Sequence, residues 1–200
     1  EMQRSLVGSE MCIRDRVRAA NKDAIADAAA KTDRAFRSGA YAIGAQCQIT
    51  TMPGYLPALS AEANVEVLAA AQIASQSSKK DYEVVKQDTT AHSGGSTDVG
   101  DVQHIQPVLT FNTGGKVSGL HSVDFDIVDD ELAYVVTAKI FALSAYRLLK
   151  NGAEKAKEVV ENYHPIFTKD AYIQYMDSFI SVEGGSPTEI NAPRGCAVIL

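Results

Sequence analysis

The chain sets few strand-like runs against several amphipathic helices, and that imbalance constrains its fold more than any other feature. A sheet needs several strands before it can cover the apolar faces of packed helices. The strand-like runs are Ala45 to Thr51, with Cys47 and Ile49 on one face, and Tyr82 to Val85. To these the apolar run Ile105 to Phe111, bounded by turn residues, adds an expected buried strand. Helical patterns are more numerous. Asn21 caps a helix with Ile25, Ala28, Ala29, Thr32 and Phe36 on one stripe and Ser38-Gly39 as its stop. From Ser60 a second helix runs through Val65, Leu68, Ala69, Gln72 and Ile73. The longest is capped by Asp129 or Asp130 and stops at Asn151-Gly152, with Leu132, Val135, Val136, the Lys139 stem, Leu143, Tyr146 and Leu149 in its stripe. Ala153 to Tyr163 follows as a short polar-faced helix halted before Pro165, and Thr168 caps another through Phe179. The prolines and glycine of Met52 to Leu59 make that segment a turn. The expected class is α/β, with so few strands that the chain reads as part of something larger.

Charge and composition remove some functions. Among 200 residues, 25 acidic against 19 basic side chains leave a net charge of -6, which offers no basic field to phosphate backbones or anionic lipid. Neither nucleic acid nor a membrane is an expected partner. The most apolar stretch, Ala133 to Leu149, contains Lys139 and Arg147 and is short for a bilayer span. Cys12, Cys47 and Cys196 show no disulfide-framework or zinc spacing and fit a reducing, cytoplasmic setting. Cys47 reads as a small core residue. Residues 1–16 carry no signal-peptide core and differ in composition from the rest of the chain. The run SLVGSEMCIRDR resembles adapter-derived sequence at the ends of translated reading frames, so the native chain is expected to start near Val17.

Two loops could carry chemistry. In the loop GGKVSGLHSVDFD, between an expected strand and the longest helix, His121 occupies a place where strand-end loops present ligands from a rigid scaffold. Neutral imidazole is a common ligand of divalent metals, although a hydrogen-bonded loop histidine is the ordinary reading. No pair among His92, His104, His121 and His164 has the spacing of a local metal site. The second loop, SGGSTDVGD from Ser93 to Asp101, combines glycines that let a ligand approach the backbone with hydroxyls and amides that hold anions. A turn that caps the next element explains the same residues equally well. The acidic run Asp124, Asp126, Asp129, Asp130 and Glu131 does not follow a calcium-loop register, and helix capping accounts for its end.

Taken together, GGSTDVGDV and LHSVDFDIVDDEL, with VRAANKDAI and MPGYLPAL before them and FTKDAYIQYMDSF after, resemble the C-terminal half of a peptidase M20 family metal-dependent amidohydrolase. The aminobenzoyl-glutamate utilisation protein B type is the most similar branch, and the likeness covers about Arg16 to Phe179. It implies that 17–56 ends an α+β lid and dimerisation domain with a last strand-helix-strand. On the same basis 57–180 is the returning half of a catalytic α/β domain, and 181–200 is an unassigned tail. It also implies that His121 is a metal ligand and that Gly95, Ser96, Thr97 and Asp98 line the substrate pocket. The cofactor implied for the full-length protein is a divalent metal, a pair of Zn or Mn ions, polarising an amide carbonyl and activating water. The substrate is a small N-acyl or aminobenzoyl amino acid, and the assembly is a homodimer or a pair with a homologous second subunit. The family's other ligand motifs and its general-base glutamate pair do not occur here, so no catalytic residue is assigned and the 200-residue chain is expected to be inactive with no metal bound. A competing expectation is a complete non-catalytic domain that binds small anions or serves dimerisation.

Overall fold

Local signals start and stop most of the helices. The computed structural model describes residues 13–59, 63–86, 88, 97–117, 119, 121–184 and 198–199. Helix α1 (Lys22–Ala42) opens where Asn21 Oδ1 accepts the Ala24 N–H at 2.9 Å. It runs past Ser38-Gly39 and closes one turn later: Gly44 takes φ +68°, its N–H reaches the Tyr41 oxygen, and the Ala45 N–H reaches the Ala40 oxygen at 2.9 Å. That pair of bonds satisfies the last carbonyls, which the mid-helix Gly39 cannot do. Strand β1 (Gln48–Met52) follows, with Ile49 and Thr51 buried. Helix α2 (Val65–Gln76) is capped by Asn64, whose Oδ1 accepts from Glu66 N–H at 2.9 Å. The short α3 (Val99–Gln103) comes next, then a π-helical turn, Glu131–Val136, leading into α4 (Thr137–Glu161). Thr168 Oγ1 accepts the Ala171 N–H at 3.2 Å to start α5 (Lys169–Asp177). Strands β2 (Ser181–Gly184) and β3 (Val198–Ile199) complete the order. The protein is thus a mixed structure of helices with one small sheet.

Two compact units divide the chain, one built from the described parts of 1–58, 94–101 and 167–200, the other from those of 59–93 and 102–166. Residues 167–180 group with the first unit.

In the first unit β1 is the central strand of a three-stranded sheet, antiparallel to β2 with Ile49 opposite Glu183 and parallel to β3 with Thr51 opposite Val198. The tail therefore contributes two of the three strands. Val17 and Ile49 form the buried cluster, with Ala28, Ala29, Phe36 and Cys47 packed against it. That arrangement gives Cys47 the core role its alternation implied.

The second unit is an α2 and α4 pair. Ala74, Val136 and Ile140 are its buried centre, lined by Ala71, Tyr82, Phe111, Leu132 and Leu143. The face that α2 buries carries Val67, Ala70, Ala74 and Ser75, whereas Val65 and Ile73 from the expected stripe are exposed. Arg147 pairs with Glu66 at 2.8 Å, and Lys139 Nζ donates to the Ser77 oxygen at 2.9 Å, so both charges of the apolar stretch Ala133 to Leu149 are spent on α2 and its C-cap. A window of this helix has mean hydropathy 1.4, enough to cross a membrane by length and composition alone. The helix breaks at Lys150–Ala153, where Asn151, Gly152 and Ala153 have φ of 54°, 76° and 62°. The stop at Asn151-Gly152 is where the sequence places it.

Two expected strands do not form among the described residues. Residues 81–86 form no ladder because both backbone polar groups of Tyr82 go to the Ser75 hydroxyl: Tyr82 N–H donates to Oγ at 2.9 Å and Oγ–H donates to the Tyr82 oxygen at 2.5 Å. Ile105 to Phe111 begins as a turn, with Ile105 N–H bonded to the Val102 oxygen at 3.0 Å. Pro107 removes a ladder donor there, and Leu109 is exposed.

Candidate functional site

His121 is carried by a hairpin that two glycines make possible. At its base Gly115 has φ +88°, and a Cβ there would sit 2.8 Å from the Asp129 oxygen and 3.0 Å from the Ala133 nitrogen. Bare of a side chain, the Gly115 oxygen accepts from both Val128 N–H at 2.8 Å and Asp129 N–H at 3.1 Å. Lys116 bridges Ile127 in antiparallel fashion, and Val117 N–H donates to the Asp126 oxygen at 3.0 Å. Above these rungs the Ser122 N–H closes on the Gly119 oxygen at 2.8 Å, where Gly119 has φ +112°. His121 sits in this turn with φ +67°, an uncommon backbone for a residue with a side chain. It is exposed, and among the described residues no hydrogen bond ties its imidazole.

The hairpin is anchored by a carboxylate that sequence reasoning assigned only to capping. Asp129 Oδ1 accepts the Leu132 N–H at 3.1 Å, so Asp129 rather than Asp130 caps the π-helical turn. The same oxygen accepts from the Tyr82 hydroxyl at 3.0 Å, and Oδ2 accepts from Lys80 Nζ at 2.6 Å. The hydrogen bond from Lys80 is the main reason that the Asp129 carboxyl is held below its ordinary value, with the Leu132 N–H adding to it. Burial, followed by the bond to Asp129, pushes the Tyr82 phenol up. Lys80 and Tyr82 lie far from Asp129 along the chain, and no local pattern marks the trio.

The second loop is described from Thr97 onward; Gly95 and Ser96 lie outside the described residues. Thr97 and Asp98 are exposed, and Thr97 Oγ1 donates to Asp98 Oδ1 at 3.2 Å and accepts from Val99 N–H at 3.4 Å. Thr97 thus serves the turn that starts α3. Just beyond, Gly100 is packed so tightly that a Cβ would overlap the Leu56 oxygen, and Asp101 Oδ1 accepts the Leu56 N–H at 2.7 Å. Burial pushes the Tyr172 phenol up, and the Asp101 carboxylate that it hydrogen-bonds adds to the shift. Thr97 and Asp98 belong to the first unit and His121 to the second.

Of the other histidines, His104 is buried and His164 exposed, while His92 lies outside the described residues. Asp124 and Asp126 are exposed, and Asp126 Oδ1 accepts its neighbour's N–H, from Ile127, at 2.8 Å. Among the described residues no group of three or more His, Cys, Asp or Glu converges as a metal site. An open apolar pocket in the second unit is lined by Leu59, Pro107, Val108, Leu109, Val159 and Tyr163. Gln103 and Asn162 also line it; Tyr163 donates to the Gln103 oxygen, and Gln103 Oε1 accepts from Leu59 N–H at 2.9 Å.

No family model matches the chain, and no curated protein or solved structure is significantly similar to it.

Proposed function

We propose that the chain is the C-terminal half of the catalytic domain of an M20-type metal-dependent amidohydrolase, preceded by the end of its lid and dimerisation domain. The parent enzyme cleaves the amide bond of an N-acyl or aminobenzoyl amino acid, of the aminobenzoyl-glutamate type, as a cytoplasmic homodimer or with a homologous second subunit. In this reading His121 is one ligand of a zinc or manganese pair, and Gly95, Ser96, Thr97 and Asp98 line the substrate pocket.

The observation that carries the reading is the presentation of His121. Its imidazole stands exposed at the tip of a hairpin braced from below, with a left-handed backbone, and strain of this kind concentrates at functional sites. The described residues do not by themselves fit a metal, since protein-held zinc needs at least about three ligands and no such group converges among them. In this reading the other ligands of His121's metal lie outside the described residues. A second support is the outer face of the π-helical turn and α4, where Tyr134, Phe141, Tyr146 and Leu149 are each more than 60% exposed. Such a face suits a chain that packs against further protein.

The genomic frame upstream of Val17 tests the proposal. An in-frame His-x-Asp motif and a Glu-Glu pair are expected there, and a start codon near Val17 would overturn the reading. The 200-residue chain, assayed with zinc or manganese on N-acyl amino acids, is expected to show no turnover. The longer protein should hydrolyse aminobenzoyl-glutamate and lose that activity on His121→Ala.

A further inference from the structure

We propose that Asp129 is the positioning residue of the His121 hairpin, and that the Lys80, Tyr82 and Asp129 clasp transmits the rigidity of the α2 and α4 core to the imidazole. Its functional meaning rests on the reading of His121 given above.

The path is continuous and each link is short. It starts at Ser75, which is only 4% exposed on the buried face of α2 and holds both backbone polar groups of Tyr82. Tyr82 packs against the Ala74, Val136 and Ile140 cluster and directs its hydroxyl to Asp129 Oδ1. Asp129 carries the connection onward in two directions. Its carboxylate fixes the first turn of the helix through the Leu132 N–H, and its own N–H shares the Gly115 oxygen with Val128. The Gly115 oxygen closes the hairpin base, and the Lys116 to Ile127 bridge leads to the tip. A two-stranded hairpin has little stability alone in water. Without the clasp, this one would sample open states from which His121 points in many directions, and a metal ligand must be held within a fraction of an ångström by the groups behind it. Glu131, with Lys79 at 3.8 Å, is the other charged group facing this corner, and its pairing leaves the Lys80 bond to Asp129 intact.

The test uses the 200-residue chain and needs neither metal nor substrate. Amide hydrogen exchange is followed at Val117 and Val128, whose N–H groups are hairpin rungs, and at Ala74 and Ile140 in the core, together with the His121 ring resonances by NMR. In Asp129→Ala the hairpin amides should exchange at least about tenfold faster while the core amides keep their protection, and the His121 resonances should shift and broaden. Lys80→Met and Tyr82→Phe leave the helix cap intact and should act in the same direction, about threefold each. If Asp129→Ala unfolds the unit, these two variants decide alone. Unchanged hairpin exchange, unmoved His121 resonances, or a uniform loss of protection across hairpin and core would overturn the proposal. Failure of the longer protein to hydrolyse amides would sink the amidohydrolase reading and leave this measurement untouched.

Discussion

Adding one methyl group at Gly100 and one at Gly39 should move the stability of the same unit in opposite directions. At Gly100 the new Cβ would overlap the Leu56 oxygen and lie 3.0 Å from both the Ala58 nitrogen and the Pro57 carbonyl carbon. All three are backbone atoms and cannot swing aside as a side-chain tip would. Overpacking of this kind costs about 1–3 kcal/mol. The shift also pulls on the adjacent hydrogen bond from Leu56 N–H to Asp101, 2.7 Å long and worth about 1 kcal/mol. A loss of about 2–4 kcal/mol corresponds to a fall in Tm on the order of 10 °C for a chain of this size. Gly39 lies in α1, and nothing stands within 4 Å of the place its new methyl would take. There Ala removes only the entropy penalty of glycine in a helix and should stabilise by about 0.5–1 kcal/mol. Far-UV circular dichroism melts of the two variants beside the parent chain read both effects. A Gly100→Ala protein that melts with the parent would refute the close approach at Gly100, and a Gly39→Ala protein that melts below the parent would refute the open space at Gly39.

Two further expectations concern the second unit. The Asp129 carboxyl is held below its ordinary value of 3.8, so its contribution to stability is fully present above that value and is lost as pH falls through the lowered one. Urea midpoints measured from pH 6 downward should therefore drop below about pH 4 in the parent chain and less steeply in Asp129→Asn; equal slopes would refute the linkage. Val136 is 2% exposed at the helix interface, and Val136→Ala should cost about 2–3 kcal/mol in urea unfolding from lost transfer energy plus the cavity left behind. A cost under about 1 kcal/mol would show that the interface collapses to fill the space, or that Val136 is not its centre.

Helix ends were legible wherever a side chain contacts a backbone group within a few residues of it. Asn21, Thr168 and Asp129 each accept an N–H from three residues ahead, and that spacing is visible in the chain itself. The stop of α1 misled because Ser38-Gly39 carries the right residue types one turn too early, and only the tertiary path shows that Gly44 adopts the left-handed conformation. Strands were poorly legible because their identity depends on partners. Ile105 to Phe111 has strand composition and no ladder, whereas Ser181–Gly184 has little strand character and pairs with β1 across most of the chain. For the candidate site, His121 and its glycine turn stood out locally. The clasp did not, since Lys80 and Tyr82 reach Asp129 only after α2 and α4 have packed.

The placement of β1 has a consequence for synthesis. This strand leaves the ribosome ahead of the whole second unit, yet it pairs at Gln48 with Gly184 and at Thr51 with Val198. Every residue of the second unit is translated in between, and that unit is complete at residue 166. The helix pair can therefore form while β1 still lacks both partners, and unpaired edges invite pairing with other chains. The first strand made is thus the last to find its partners, and nascent chains stalled after α5 hold β1 without either of them.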